Sequence, residues 1–163
     1  MPPVPAAYSR AQIYLHWVIV VLIGLQFLLN ETIGKAFDAK MAGAEFAFNP
    51  LIAQHVFTGI ALAVLVVARV GRRKRHGVPA APAGTDPRLA RLATLAHIAL
   101  NLMVLVTVAT GGMAWFGGIT AMAGLHELAK ALLMALIAAH VGAALYHHYV
   151  LKDNLIARMN PHK

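Results

Sequence analysis

Polar and apolar positions fall in long blocks along this chain, without the short period of a surface helix or an exposed strand. Four nearly continuous apolar stretches run at about 13–30, 51–70, 92–110 and 125–151. Each is near or above the roughly 20 residues that a helix needs to cross about 30 Å of hydrocarbon. With no water in the bilayer core, each stretch must satisfy its own N–H and C=O groups, and the alternating pattern of a membrane barrel is absent. The predicted fold is therefore all-α: a single domain over residues 1–163, built as a four-helix transmembrane bundle.

The polar blocks give the bundle a direction. Arg69-Val70-Gly71-Arg72-Arg73-Lys74-Arg75, with Arg88 and Arg91, places seven Lys or Arg between the second and third stretches, which predicts a cytoplasmic connection. The 31–45 block sets Lys35 and Lys40 against Glu31, Asp38 and Glu45, and residues 111–124 carry no charge; both read as loops on the outer side. Arg10 before the first stretch, and Lys152, Arg158 and Lys163 after the last, predict that both termini are cytoplasmic. The 77–87 segment, with Pro79, Pro82 and Pro87, reads as an irregular linker, and Gly111-Gly112 and Gly117-Gly118 as marks of the bend between the third and fourth helices. Met1-Pro2-Pro3-Val4-Pro5 lacks an early basic residue, a poor match to a cleavable signal, so the first apolar segment is expected to stay.

Composition agrees and narrows the chemistry. The chain is 60% hydrophobic and 12% charged, with a mean hydropathy of +0.67, outside the usual range of soluble domains. Its formal charge of +8 is concentrated between and after the apolar blocks, not in a basic stripe interleaved with aromatics, so nucleic acid is not an expected partner and a lipid bilayer is. Cysteine is absent, which excludes disulfides, thiolate metal sites, iron-sulfur ligation and covalently attached haem of the CxxCH kind. Nine histidines remain as the main ligands.

Ionisable groups inside a membrane helix are costly and point to function. His16 and His97 fall early in segments that start on the cytoplasmic side, whereas His55 and His126 open segments that start outside. His126 and His140 are 14 residues apart, which in a helix means about 21 Å of rise and about −40° of rotation, so they share one face at two depths. His126 is level with His55 and His140 with His16, and a pair of imidazoles at each depth suits six-coordinate haem iron without burying a net protein charge. His97 competes with His16 for the inner position. Gly59, Gly124 and Gly142 beside these residues offer room for a porphyrin, although small residues also serve plain helix packing.

Tyr8-Ser9-Arg10, His16-Trp17, Gln54-His55, the His126–His140 spacing, Tyr146-His147-His148-Tyr149 and Lys152-Asp153-Asn154 together resemble the bacterial cytochrome b561 family over nearly the whole chain. The resemblance implies two haem b groups. By it, His16 with His140 ligates the cytoplasmic-side iron, His55 with His126 the periplasmic-side iron, and the third helix supplies no ligand.

Four other residues have two readings each. Arg69 and Arg10 would neutralise propionates of the inner haem, or be ordinary positive-inside markers. Lys130 would meet an outer propionate or an anionic donor, or snorkel and pair with Glu127. His147, like His148, would bond a haem propionate or a quinone carbonyl, or sit in interfacial water. The expected function is electron transfer in the bacterial inner membrane from a periplasmic donor to ubiquinone. Some relatives in the family oxidise superoxide, an anion that Lys130, Lys35 and Lys40 would attract and that Glu31, Asp38 and Glu45 would repel. The alternative is a cytochrome anchor that serves a dehydrogenase or hydrogenase on another chain.

Overall fold

The computed structural model describes residues 4–44, 47–82 and 84–162; Glu45 and Lys163, used in the charge reading, and Met1 to Pro3 lie outside them. Among the described residues the fold is all-helical: α1 (Arg10–Leu28), α2 (Glu31–Met41), α3 (Pro50–His76), α4 (Pro87–Gly117) and α5 (Thr120–Tyr146), then a π-helical turn (His147–Leu151) and a 3-10 turn (Ile156–Met159). Four of these elements, α1, α3, α4 and α5 with its π turn, are long and apolar enough to cross a membrane, as the apolar stretches predict.

Local chemistry sets the helix ends. Ser9 caps α1 in a capping box: its Oγ accepts from the Gln12 N–H at 3.3 Å, and Gln12 Oε1 accepts from the Ser9 N–H at 2.9 Å. Asn49 and Asp86 cap α3 and α4 by accepting from Leu51 N–H at 2.9 Å and Arg88 N–H at 2.7 Å, each followed by Pro at the first helical position. Gly77 and Gly118, with φ of 70° and 64°, end α3 and α4 in the left-handed half of backbone space that favours glycine.

Three expectations are corrected. The basic run Arg72 to Arg75 is the last turn of α3, not a loop; cations there complement the exposed carbonyls of a helix C-terminus. The 31–45 block, read as a loop, contains α2, with Glu31 in its first turn and Lys40 in its last, the placement that the helix dipole favours. Gly111-Gly112 lies inside α4, so only Gly118 and Ile119 separate α4 from α5. That short connection makes them antiparallel neighbours, and they form the most extensive helix pair.

The other extensive pairs are α1 with α3, α3 with α4 and α2 with α3; neither α1 nor α3 packs extensively on α5. The core is a mid-bundle layer of Ile19, Leu62, Val66, Val104 and Leu133, one or two residues from each spanning helix. Leu133 lies seven residues from both His126 and His140, so this apolar layer separates the two histidine depths. Val21, Val64, Leu95 and Leu132 are 50–64% exposed, the outward apolar surface expected of a bundle solvated by lipid.

Two polar ties close the basic end. Buried Gln12 donates from Nε2 to the Gly77 carbonyl at 3.0 Å, joining the start of α1 to the end of α3. The C-terminal tail folds back, with Trp17 Nε1 donating to the Met159 carbonyl at 2.8 Å and Arg158 Nη1 to the Ala80 carbonyl at 2.7 Å.

Candidate functional site

The histidines meet at two depths. At the end covered by α2, the rings of His55 on α3 and His126 on α5 have centres 6.4 Å apart. At the basic end, His16 on α1 and His140 on α5 are likewise 6.4 Å apart, and His97 on α4 is 5.2 Å from His140. An imidazole nitrogen bound to a metal sits about 2 Å from it, with the ring centre about 1 Å further, so two axial imidazoles on one iron place their ring centres about 6 Å apart. Both predicted pairs have that separation, and His97 with His140 is closer than it. Each pair also spans helices that do not pack extensively on each other, which leaves the separation a flat macrocycle requires.

The His55–His126 pair opens on a cavity of about 510 Å³ that reaches all five α-helices, lined by Gln26, Gly34, His55, Gly59, Gly111 and His126 among others, within the size range of cofactor sites. His126 Nδ1 lies 2.8 Å from the Thr107 carbonyl, and a carbonyl can only accept, so Nδ1 carries the ring proton and Nε2 keeps its lone pair for a metal. Gly111 makes this possible: a Cβ on Gly111 would stand 2.9 Å from His126 Cε1 and Nδ1. His55 is the less supported partner, since its Nδ1 is buried with no hydrogen-bond partner. An orphaned ring nitrogen, a cavity and two correctly spaced imidazoles fit a haem at this depth.

The His16–His140 pair is similar in spacing and different in electrostatics. Arg69 Nη1 lies 2.7 Å from His16 Nδ1. Arginine only donates, so this contact leaves the His16 ring proton on Nε2; a His16 that binds iron through Nε2 carries the proton on Nδ1 and turns it to another acceptor. Arg69 thus stands beside the predicted inner ligand, whereas Arg10 is exposed on the first turn of α1.

The other sequence candidates fall outside both pairs. Lys130 lines the cavity beside His55 and His126 and holds Glu127 at 2.7 and 2.8 Å, the pairing that their spacing allows. His147 is paired through one ring nitrogen: its Nδ1 lies 2.5 Å from Asp153 Oδ2. The π turn and the left-handed Lys152 that follows it, φ 52°, bring those two side chains together. This contact holds the Asp153 carboxyl below the usual carboxylate range, chiefly through the hydrogen bond from His147. Lys40 donates to the Trp115 carbonyl, and its Nζ lies 4.8 Å from the centre of the Trp115 ring, fastening α2 to the end of α4. Sequence reasoning missed Thr107, Gly111 and Gln26; a glycine inside a 31-residue helix was the one available signal.

Known proteins resemble this chain over nearly its whole length. A family model described as prokaryotic cytochrome b561 matches residues 7–162. The chain is 40% identical over 152 residues to cytochrome b562 of Cereibacter sphaeroides, covering 93% of this chain and 94% of that protein. It is 28% identical over 180 residues to cytochrome b561 homolog 1 of Escherichia coli K12, covering 96% and 98%. It is 32% identical over 178 residues to a probable superoxide oxidase, CybB, of Yersinia pestis, covering 96% and 97%.

Proposed function

The chain belongs to the prokaryotic cytochrome b561 family, membrane haem-b proteins of electron transfer, and from that premise we propose that it is a donor:ubiquinone oxidoreductase of the bacterial inner membrane with two haem b groups. His55 and His126 hold the outer group, and His16 and His140 the inner one. The observation that carries the reading is the repeated ring separation of 6.4 Å at two depths of α5. When bound, the two groups supply one-electron carriers on either side of the bilayer midplane.

The chain's own residues do the rest. Thr107 fixes the tautomer of His126 through its carbonyl, so the ligating nitrogen faces the cavity. Val66 and Leu133, 1% and 3% exposed, keep water out of the layer between the two depths. Arg69 places a positive charge at the inner depth, where it balances haem propionates. The basic ends of α1 and α3 and the tail beyond α5 face the cytoplasm in this reading, by the positive-inside bias, and the α2 end faces the donor.

Superoxide is one donor to consider, because a relative bears that name. Charge at the α2 end is balanced and does not by itself select an anion: Lys35, Lys40 and Lys130 stand against Glu31, Asp38 and Glu127, with Lys130 paired to Glu127. The defining experiment uses the purified chain in lipid nanodiscs. Haem quantitation should give about two haem b per chain, and anaerobically reduced protein should be reoxidised by a short-chain ubiquinone. A single haem, or reduced protein indifferent to the quinone, rejects the proposal. Stopped-flow mixing with superoxide decides that donor, since haem reduction must outrun spontaneous dismutation.

A further inference from the structure

His126 receives its tautomer from a backbone carbonyl, but His55 has no such partner, and the residue placed to serve it is Gln26. Gln26 lies in the apolar run of α1, where an amide is costly unless it is used. Its Nε2 donates to the carbonyl of His55 at 2.9 Å, joining α1 to α3 at the ligand residue itself. Gly59, one turn further along α3, keeps space for it: a Cβ there would approach Gln26 Nε2 to 3.3 Å. The donor end of the amide is therefore committed. Its acceptor end, Gln26 Oε1, is buried and unpartnered, and so is His55 Nδ1; both residues line the outer cavity.

A buried donor and a buried acceptor left unpaired on two residues already in contact are each costly, and pairing them removes both costs. We propose that Gln26 is the positioning residue of the outer haem: its Nε2 fixes the backbone of His55, and its Oε1 accepts the His55 Nδ1 proton, directly or through one buried water. The inference rests on the reading of His55 as an axial ligand. An acceptor on the ring N–H makes the imidazole a stronger electron donor to iron and favours the oxidised metal, so Gln26 holds the potential of the outer haem down and leaves the inner one alone.

The test is a spectroelectrochemical titration of the holoprotein in wild type, Gln26→Met and Gln26→Glu, with the outer haem identified as the component lost in His55→Ala. Gln26→Met keeps the shape and removes the acceptor; it should shift the outer haem toward the reduced form by about tenfold, or 59 mV for one electron, with no change at the inner haem. Gln26→Glu, neutral when buried, keeps an acceptor and a donor and should stay within about threefold of wild type. If Gln26→Met costs the outer haem altogether, its retention in Gln26→Glu supports the role equally. Equal shifts in both variants, a shift confined to the inner haem, or no shift in either would overturn it. If His55→Ala removes no haem, the ligand assignment falls along with the role of Gln26; if it removes one and Gln26→Met changes nothing, only the role of Gln26 falls.

Discussion

The ring of His126 occupies the space where a side chain on Gly111 would begin, with Cε1 and Nδ1 both 2.9 Å from that position. Contact this close cannot be absorbed by a small adjustment, because the Thr107 carbonyl already fixes the ring from the same helix. Gly111→Ala should push His126 off the carbonyl, lose the tautomer that leaves Nε2 free, and reduce haem content from about two to about one per chain. Gly112→Ala is the control, since a Cβ there meets nothing within 4 Å. Haem-to-protein ratio and the amplitude of the reduced-minus-oxidised α-band measure both; equal content in the two variants would remove the steric argument.

His16 and His97 compete for the partner of His140, and spacing separates them: 6.4 Å for His16 against 5.2 Å for His97. The prediction is that His16→Ala loses one low-spin haem, by release or by conversion to high-spin, while His97→Ala keeps both. Electron paramagnetic resonance of the oxidised protein makes the distinction sharper than haem content does, because loss of one axial imidazole converts a low-spin signal to high-spin. A high-spin signal in His97→Ala, with low-spin signals intact in His16→Ala, would reverse the assignment.

What the sequence made readable follows from which features are periodic. The four spanning helices are long apolar runs, and the two depths follow from helical rise alone, since His126 and His140 are both on α5. α2 was unreadable because its 11 residues mix charges with a short apolar face, and only packing on α3 distinguishes it from a loop. The tie between His147 and Asp153 depends on a π-helical turn and on a left-handed Lys152, a geometry that ordinary helical spacing does not anticipate. Thr107 acts through its backbone, which no side-chain pattern can reveal. Gln26 is one polar residue in an apolar run, and its partner is a carbonyl 29 positions away.

The contact between Asp153 and His147 should make docking of the C-terminal tail sensitive to acid. The Asp153 carboxyl is held below its usual range when the tail is docked, so the docked state binds fewer protons than the undocked one. The stabilisation is complete above the free carboxylate pKa of about 3.9 and is lost as pH falls through the lowered value. Hydrogen exchange over residues 147–159 should therefore accelerate below about pH 4 in wild type, after correction for intrinsic exchange. Asp153→Asn should exchange faster at neutral pH and show no acid step. A step that persists in Asp153→Asn would assign it to another group.

Haem should also hold the bundle together. α5 packs extensively on α4 but not on α1 or α3, although its two histidines face theirs; axial bonds at two depths would tie α5 directly to α1 and α3, adding to the α3–α4 packing that already joins the two halves. A ligand bound only by the folded form stabilises it by about 4 kcal/mol at a thousandfold excess over Kd, which for a chain of this size corresponds to roughly 8–16 °C in Tm. Protein produced under haem limitation should melt lower by about that amount in the same detergent. Exchange protection should fall first on the faces of α1, α3 and α5 that carry His16, His55, His126 and His140. The α4–α5 contact should outlast it, because its short connection and extensive packing do not depend on iron. Identical melting of haem-loaded and haem-depleted chain would show that helix packing alone carries the fold.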